Sequence, residues 1–178
     1  MMTQLLATMF LAAGPTNPGE AAAEMYEKAA GAYKEKDDSL AAELFYQVAT
    51  TYPDYEKAPD ALYYSGTLFY KLQMFDRANG AFARCREIYP SYDKTGEVTY
   101  FLGLSLFGLG RNQEAVKVLE EYLNGFPDGE LRADAWKYIG MCYIKMARGA
   151  LMKAEELYKL MGKTEEAKTL EKFITLLQ

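Results

Sequence analysis

The sequence predicts an all-α array of about four helix pairs, closed at its C-terminal end by a capping helix. Three observations predict it. Aromatic–proline pairs recur at Tyr52-Pro53, Tyr89-Pro90 and Phe126-Pro127, 37 residues apart each time. Gly66, Gly103 and Gly140 keep the same spacing, and so do Ala41, Ala78 and Ala115. Three unrelated residue types in one register mark an internal repeat, and a period of about 20–50 residues marks a stack of small units that share one core. Each glycine precedes an alanine of its series by 12 residues, and each alanine precedes its proline by 12. The glycine slot extends back to Ala29 and the alanine slot forward to Met152, so the repeat covers at least residues 20–161.

The elements follow in order. Asn17 is a good N-cap with Pro18 at the first helical position and Glu20 three residues beyond the cap, so the array begins at about residue 18. In each unit an amphipathic first helix, such as the stretch from Ala58 to Lys71, runs to a turn at Gln73-Met74 or Gly110-Arg111. The second helix then runs to the aromatic–proline pair, where proline stops it for want of an N–H. Glycine within a helix costs about 1 kcal/mol relative to alanine. Its recurrence at the middle of the first helix points to close helix–helix approach there. The fourth unit departs from the pattern. Met152 and Glu156 stand where alanine and a large apolar residue belong, so its second helix, at about 150–161, is expected to be short or displaced. Residues 163–177 make a last amphipathic helix, read as the cap that solvates the open end of the stack. An alternative register puts Ala167 in the alanine slot and makes 163–178 a true second helix. The organisation is thus an apolar segment over 1–17, the repeat array over 18–161 and the capping helix over 162–178.

Composition narrows the function. The chain has 178 residues, 20 Lys plus Arg and 25 Asp plus Glu, for a formal charge of −5. A chain of this length buries about 70% of its unfolded surface and folds without disulfides or metal. The acidic balance argues against nucleic-acid binding, which needs a basic surface, and against a polybasic membrane role. There is no histidine, which removes the usual general base and metal ligand. Cys85 and Cys142 are too far apart for a CxxC motif and read as buried structural thiols. The carboxylate pairs Asp37-Asp38, Glu120-Glu121, Glu155-Glu156 and Glu165-Glu166 are consecutive, so on a helix each pair splays apart. They read as solvated faces. The expectation is a protein that is not an enzyme, with no cofactor and no metal. The prominent feature is 15 tyrosines.

The first seventeen residues differ from the rest. Residues 5–13 form an apolar run too short to span a bilayer. It reads either as the core of a secretory signal, with cleavage near Leu11-Ala12-Ala13, or as an apolar helix over the exposed end of the array. Against the signal, no Lys or Arg precedes the run. Gly14 stands where a lipoprotein would carry its acylated cysteine, so no direct membrane anchor is expected. Export would place the protein in the periplasm or cell envelope. Without it the protein is cytoplasmic.

The segments "YYSGTLFYKLQMFDRANGAFARCREIYP" and "YFLGLSLFGLGRNQEAVKVLEEYLNGFP" resemble the tetratricopeptide repeat: a small residue midway along the first helix, alanine early in the second, proline at its end. The resemblance covers about four-fifths of the chain and implies a right-handed α-solenoid. The unit is three residues longer than the common 34, with the excess after the proline. This long-loop form is similar to the repeats of bacterial envelope proteins, the periplasmic Tol-Pal-associated coordinator and the outer-membrane-assembly lipoprotein. The family's concave face, carried over by counting from each glycine, holds Tyr26, Tyr63, Tyr100 and Lys137 three residues before it. Tyr33, Tyr70, Phe107 and Ile144 come four after, Ala30, Thr67, Leu104 and Met141 one after, and Lys34, Lys71 and Lys145 five after. The groove so implied is a double aromatic row with an acidic edge and a partly basic one. Leu62, Phe69, Leu102, Leu106, Trp136 and Tyr143 fall on inter-helix positions instead. The lysine and asparagine positions that hold a C-terminal carboxylate in heat-shock co-chaperones are Tyr26, Tyr63, Tyr100 and Ala30, Thr67, Leu104 here, so that clamp is absent.

Tyrosine gives a large contact area at low entropy cost and keeps a polar tip. The expected function is a protein-interaction scaffold that holds a protein or peptide segment in this groove, as an adaptor in bacterial envelope or appendage assembly. The alternative is a structural subunit that self-associates into a homo-oligomer or filament through its groove and N-terminal segment.

Overall fold

The computed structural model describes residues 17–177, and the expectations for residues 1–16 lie outside them. Every element among the described residues is a helix: α1 (Pro18–Lys34), α2 (Asp38–Thr51), α3 (Ala58–Lys71), α4 (Phe75–Ile88), α5 (Thr95–Gly108), α6 (Asn112–Gly125), α7 (Arg132–Leu160) and α8 (Thr164–Leu176). The chain divides into two compact units, Met1–Tyr92 and Asp93–Gln178.

In the first unit the helix ends follow the sequence signals. The Asn17 side chain accepts from the Gly19 N–H at 2.9 Å and Pro18 opens α1. Asp37 caps α2 by accepting from Leu40 N–H at 3.0 Å. Each pair turns through one left-handed residue, Lys36 (φ 64°) and Gln73 (φ 59°). The second helices end alike: the N–H of Tyr52 donates to Val48 O, that of Tyr89 to Cys85 O, and proline follows. α1 packs on α2, α2 on α3, and α3 on α4. Ala29, Ala41, Leu62, Phe69, Ala78 and Phe82 are buried between them. Burying each large apolar side chain contributes about 1.5–3 kcal/mol. At Gly66 a Cβ would lie 2.6 Å from the Phe82 ring, so the close approach expected there is real. Arg77 forks onto both carboxylate oxygens of Glu43 and lies 4.0 Å over the Phe69 ring, tying α4 to α2 and α3.

In the second unit α5 and α6 repeat this geometry. Gly110 (φ 75°) makes the turn, Phe126 N–H donates to Tyr122 O before Pro127, and a Cβ on Gly103 would lie 2.7 Å from Leu119. α7 does not repeat it. The next left-handed residue should fall at 147, but Ala147 lies inside a helix of 29 residues. The stretch from Met146 to Leu160 is almost all strong helix formers, with no proline or left-handed residue to stop it. The turn comes at Gly162 (φ 72°), fifteen residues late. From there the register is intact. Ala167 follows Gly162 by five residues, as Ala115 follows Gly110, and it is buried. A separate second helix at 150–161 is therefore absent, because that stretch extends the first. The register with Ala167 in the alanine slot describes α8. α8 packs on α7, and Lys159 joins them, paired with Glu155 on its own helix and with Glu171 at 3.0 Å.

Candidate functional site

The first unit opens a cleft of 540 Å³ where α1, α2 and α3 converge. Tyr26, Ala30, Tyr33 and Lys34 form one wall, Tyr64, Thr67, Leu68 and Lys71 the other, and Phe45 of α2 the floor. Residues three or four apart share one helix face, which is how α1 places Tyr26, Ala30 and Tyr33 in a row. Tyr26 meets Phe45 edge-on at 5.2 Å, and Phe45 meets Tyr64 at 5.5 Å. Such contacts contribute about 0.5–1.5 kcal/mol beyond burial and hold the rings as a rigid platform. Burial, and then the Asp60 carboxylate, push the Tyr26 hydroxyl up to about 12, so it stays protonated and can donate a hydrogen bond. Tyr33 is exposed at the mouth, beside Lys34. Lys71 pairs with Asp38 at 2.5 Å, and that hydrogen bond raises its pKa.

Of the sequence-derived groove residues in this unit, the cleft gathers Tyr26, Ala30, Tyr33, Lys34, Thr67 and Lys71. It does not include Tyr63 and Tyr70. Tyr63 packs against Tyr64 and Tyr92, whose hydroxyl donates to Asp60 at 2.6 Å, and Tyr70 packs against Phe75. Counting from the glycine missed Phe45, Tyr64 and Leu68. Phe45 lies on a second helix, outside any count along first helices. Tyr64 carries the aromatic signal but sits two residues before the glycine, off the counted rows.

In the second unit Tyr100 and Leu104 are 5% and 4% exposed and present no contact surface. Tyr100 packs between Phe101 and Tyr122. The cause is α5 itself, whose apolar residues from Val98 to Leu106 are not confined to one face, so that most of the helix is buried. Phe107 and Lys145 do come together, with the Lys145 ammonium 3.8 Å over the Phe107 ring and Tyr138 edge-on to it at 5.3 Å. Lys137 is exposed and pairs with Asp134, and Met141 is exposed. Trp136 and Tyr143, expected between helices, are exposed instead.

Both cysteines are free and buried, and burial raises both thiols, Cys85 to about 12. A thiol so protonated is a poor nucleophile. Among the described residues no group of three or more His, Cys, Asp or Glu is placed to hold a metal ion, and no helix is long and apolar enough to cross a membrane.

Comparison with known proteins agrees with the geometry. The tetratricopeptide repeat family model matches residues 60–92 and 100–129. No curated protein matches the chain. Among solved structures, the TPR domain of Arabidopsis OM64 aligns with a TM-score of 0.57 at 20% identity, over 69% of this chain and 97% of that one. A variant of a Podosopora anserina protein of nearly identical TPR-like repeats aligns at 0.56 and 14% identity, over 98% of this chain and 81% of that one. The fold is therefore all-α, built of helix pairs of the tetratricopeptide type.

Proposed function

We propose that this tetratricopeptide-repeat chain is an interaction scaffold whose first unit holds a peptide segment of a partner protein in the α1–α2–α3 cleft. The observation that carries this reading is the cleft itself. It has aromatic walls, an apolar floor at Phe45 and lysines at one end, a form suited to an extended segment with a large apolar anchor and an acidic flank. Tetratricopeptide repeats in general mediate protein–protein interaction, and no nucleophile–base set stands beside the cleft among the described residues. The finer reading is an adaptor in bacterial envelope or appendage assembly, working in the periplasm after export. It rests on the apolar run at residues 5–13 and on the long-loop form of the repeat.

One experiment in the native host tests both levels. A photo-crosslinking residue replacing Tyr33 should yield an adduct to a defined partner peptide, recovered from the envelope fraction. The same residue at exposed Ala83 of α4 should yield none. Filling the cleft with Thr67→Trp should abolish the Tyr33 adduct. Equal adducts from both positions would refute the cleft as the site, and an adduct found only in the cytoplasm would refute the envelope role while leaving the scaffold reading intact.

A further inference from the structure

The first half of α7 carries a face that the repeat builds for a second helix and that no described element covers. In the second pair, Leu62 and Phe69 flank Gly66 at 0% and 1% exposure, and Phe82 of α4 stands over the glycine. In the third pair, Thr99 and Leu106 flank Gly103, both buried, and Leu119 of α6 stands over it. The same positions in the last pair are Trp136 and Tyr143, at 58% and 52% exposure, and apart from the neighbouring backbone of α7 itself no described atom lies within 4 Å of where a Cβ on Gly140 would be. Ala133, Trp136, Gly140, Tyr143 and Ala147 share one side of the helix by their spacing. A glycine there costs helix stability and, as the chain stands, receives nothing in return.

The cause is the fifteen-residue delay of the turn. α8 has 13 residues and so reaches about 20 Å, enough to return along the extension of α7 but not along its first half. Its chemistry is also wrong. The residue four after the slot alanine, Phe82 in α4 and Leu119 in α6, is Glu171 in α8, and it pairs with Lys159.

We propose that this face receives a helix donated by a partner protein, seated where α4 and α6 sit in the other pairs. The slot defines that helix: alanine facing α7, Leu or Phe four residues later entering over Gly140, and an acidic outer edge. Trp and Tyr are the residues in which binding energy concentrates at interfaces. The charge follows from the receiving helix. Along residues 132–148 Arg132 donates to Leu123 O and Phe126 O, Lys145 lies over Phe107 and Lys137 pairs with Asp134, which leaves the Arg148 guanidinium at the border of this face to meet an acidic residue of the incoming helix. A second copy of the chain offers no such helix among its described residues, because Ala41 with Phe45, Ala78 with Phe82 and Ala115 with Leu119 are all buried in their own pairs. The site is separate from the cleft of the first unit and stands whether or not that cleft binds a peptide.

Trp136 is the sole tryptophan, so its emission reads the site directly in the full-length protein. The probe is a synthetic peptide of residues 111–127, which carries Ala115, Leu119 and three glutamates and has no tryptophan. The protein alone should show the red emission of an exposed indole, independent of dilution. Added peptide should shift it to the blue and saturate. A peptide with Leu119→Glu should bind at least tenfold more weakly. Gly140→Leu in the protein should weaken binding by a similar factor with helix content unchanged, because the open space around Gly140 admits the side chain. No shift up to about 1 mM peptide, the limit of millimolar affinity, would overturn the proposal. So would an equal response from Gly140→Leu. Blue emission from the dilute protein alone would also overturn it, because the face would then already be covered within a single chain. A blue shift that grows with protein concentration, together with a dimer in sedimentation, would assign the face to a second copy instead.

Discussion

At the scale of single residues, the first-unit cleft depends on tyrosines that stay neutral. The Tyr26 hydroxyl is pushed up to about 12 from 10.0, by burial among Phe45, Tyr55 and Tyr64 and by the Asp60 carboxylate. Tyr89 moves the same way, again through burial. A group whose pKa is higher in the folded state loses its proton first in the unfolded chain. Its contribution is therefore complete below about pH 10 and is lost as pH rises through about 12. Urea-unfolding midpoints should fall steeply between pH 10 and 12, and Tyr26→Phe should flatten that fall while changing the midpoint at pH 7 little. An unchanged slope in the variant would show that the ring is better solvated than its neighbours imply. The tyrosine row on α1 was legible from sequence because a repeat fixes which residues share a face. The fate of each ring was not, since Tyr26 and Tyr100 occupy the same repeat position. Tyr26 lies on a helix with a polar side and stays half-buried, whereas Tyr100 lies on α5, whose residues from Val98 to Leu106 are nearly all buried.

At the scale of elements, one repeat slot meets two environments. A Cβ added at Gly66 would press into the buried Phe82 ring at 2.6 Å, and at Gly103 into Leu119 at 2.7 Å. Overpacking of this kind costs about 1–3 kcal/mol, against which better helix propensity returns about 1. At Gly140 the same methyl meets no described atom apart from the neighbouring backbone of α7 itself, so only the propensity gain remains. Gly66→Ala and Gly103→Ala should therefore destabilise the protein by up to about 2 kcal/mol, and Gly140→Ala should stabilise it by up to about 1 kcal/mol. Chemical denaturation of the three variants checks the contrast, and a loss at Gly140 equal to that at Gly66 would mean that a helix covers α7 after all. The glycine spacing announced close approach correctly for two pairs. It could not report the third, because the residue that fills each slot is contributed by the following helix, and that helix is displaced. Trp136 and Tyr143 fall on inter-helix positions yet are exposed for the same reason: their positions along α7 are regular, and the missing neighbour is the irregularity.

At the scale of the whole chain, the repeat arithmetic itself can be edited. The helix pairs and their turns follow one 37-residue register from Ala29 to Gly140, and most of the architecture was readable because three residue types repeated it. The register then slips by fifteen residues. Sequence pattern reported this slip only as poor residues in the expected slots, Met152 and Glu156, since a helix that simply continues leaves no mark of its own. Fifteen residues are just over four helical turns, so the extension carries the turn at Gly162 about 22 Å along the axis. Deleting residues 147–161 would place Gly162 seven residues after Gly140, as Gly110 follows Gly103, and Ala167 twelve after it, as Ala115 follows Gly103. With Glu171→Leu added to supply the apolar residue that Phe82 and Leu119 provide elsewhere, α8 should fold back over Gly140. The expected result is a fully helical monomer whose Trp136 emission moves to the blue, with no response left to a peptide of residues 111–127. If the shortened chain stays helical but Trp136 remains exposed, register alone does not place the second helix, and the extension of α7 must contribute contacts that hold α8 wherever it lies.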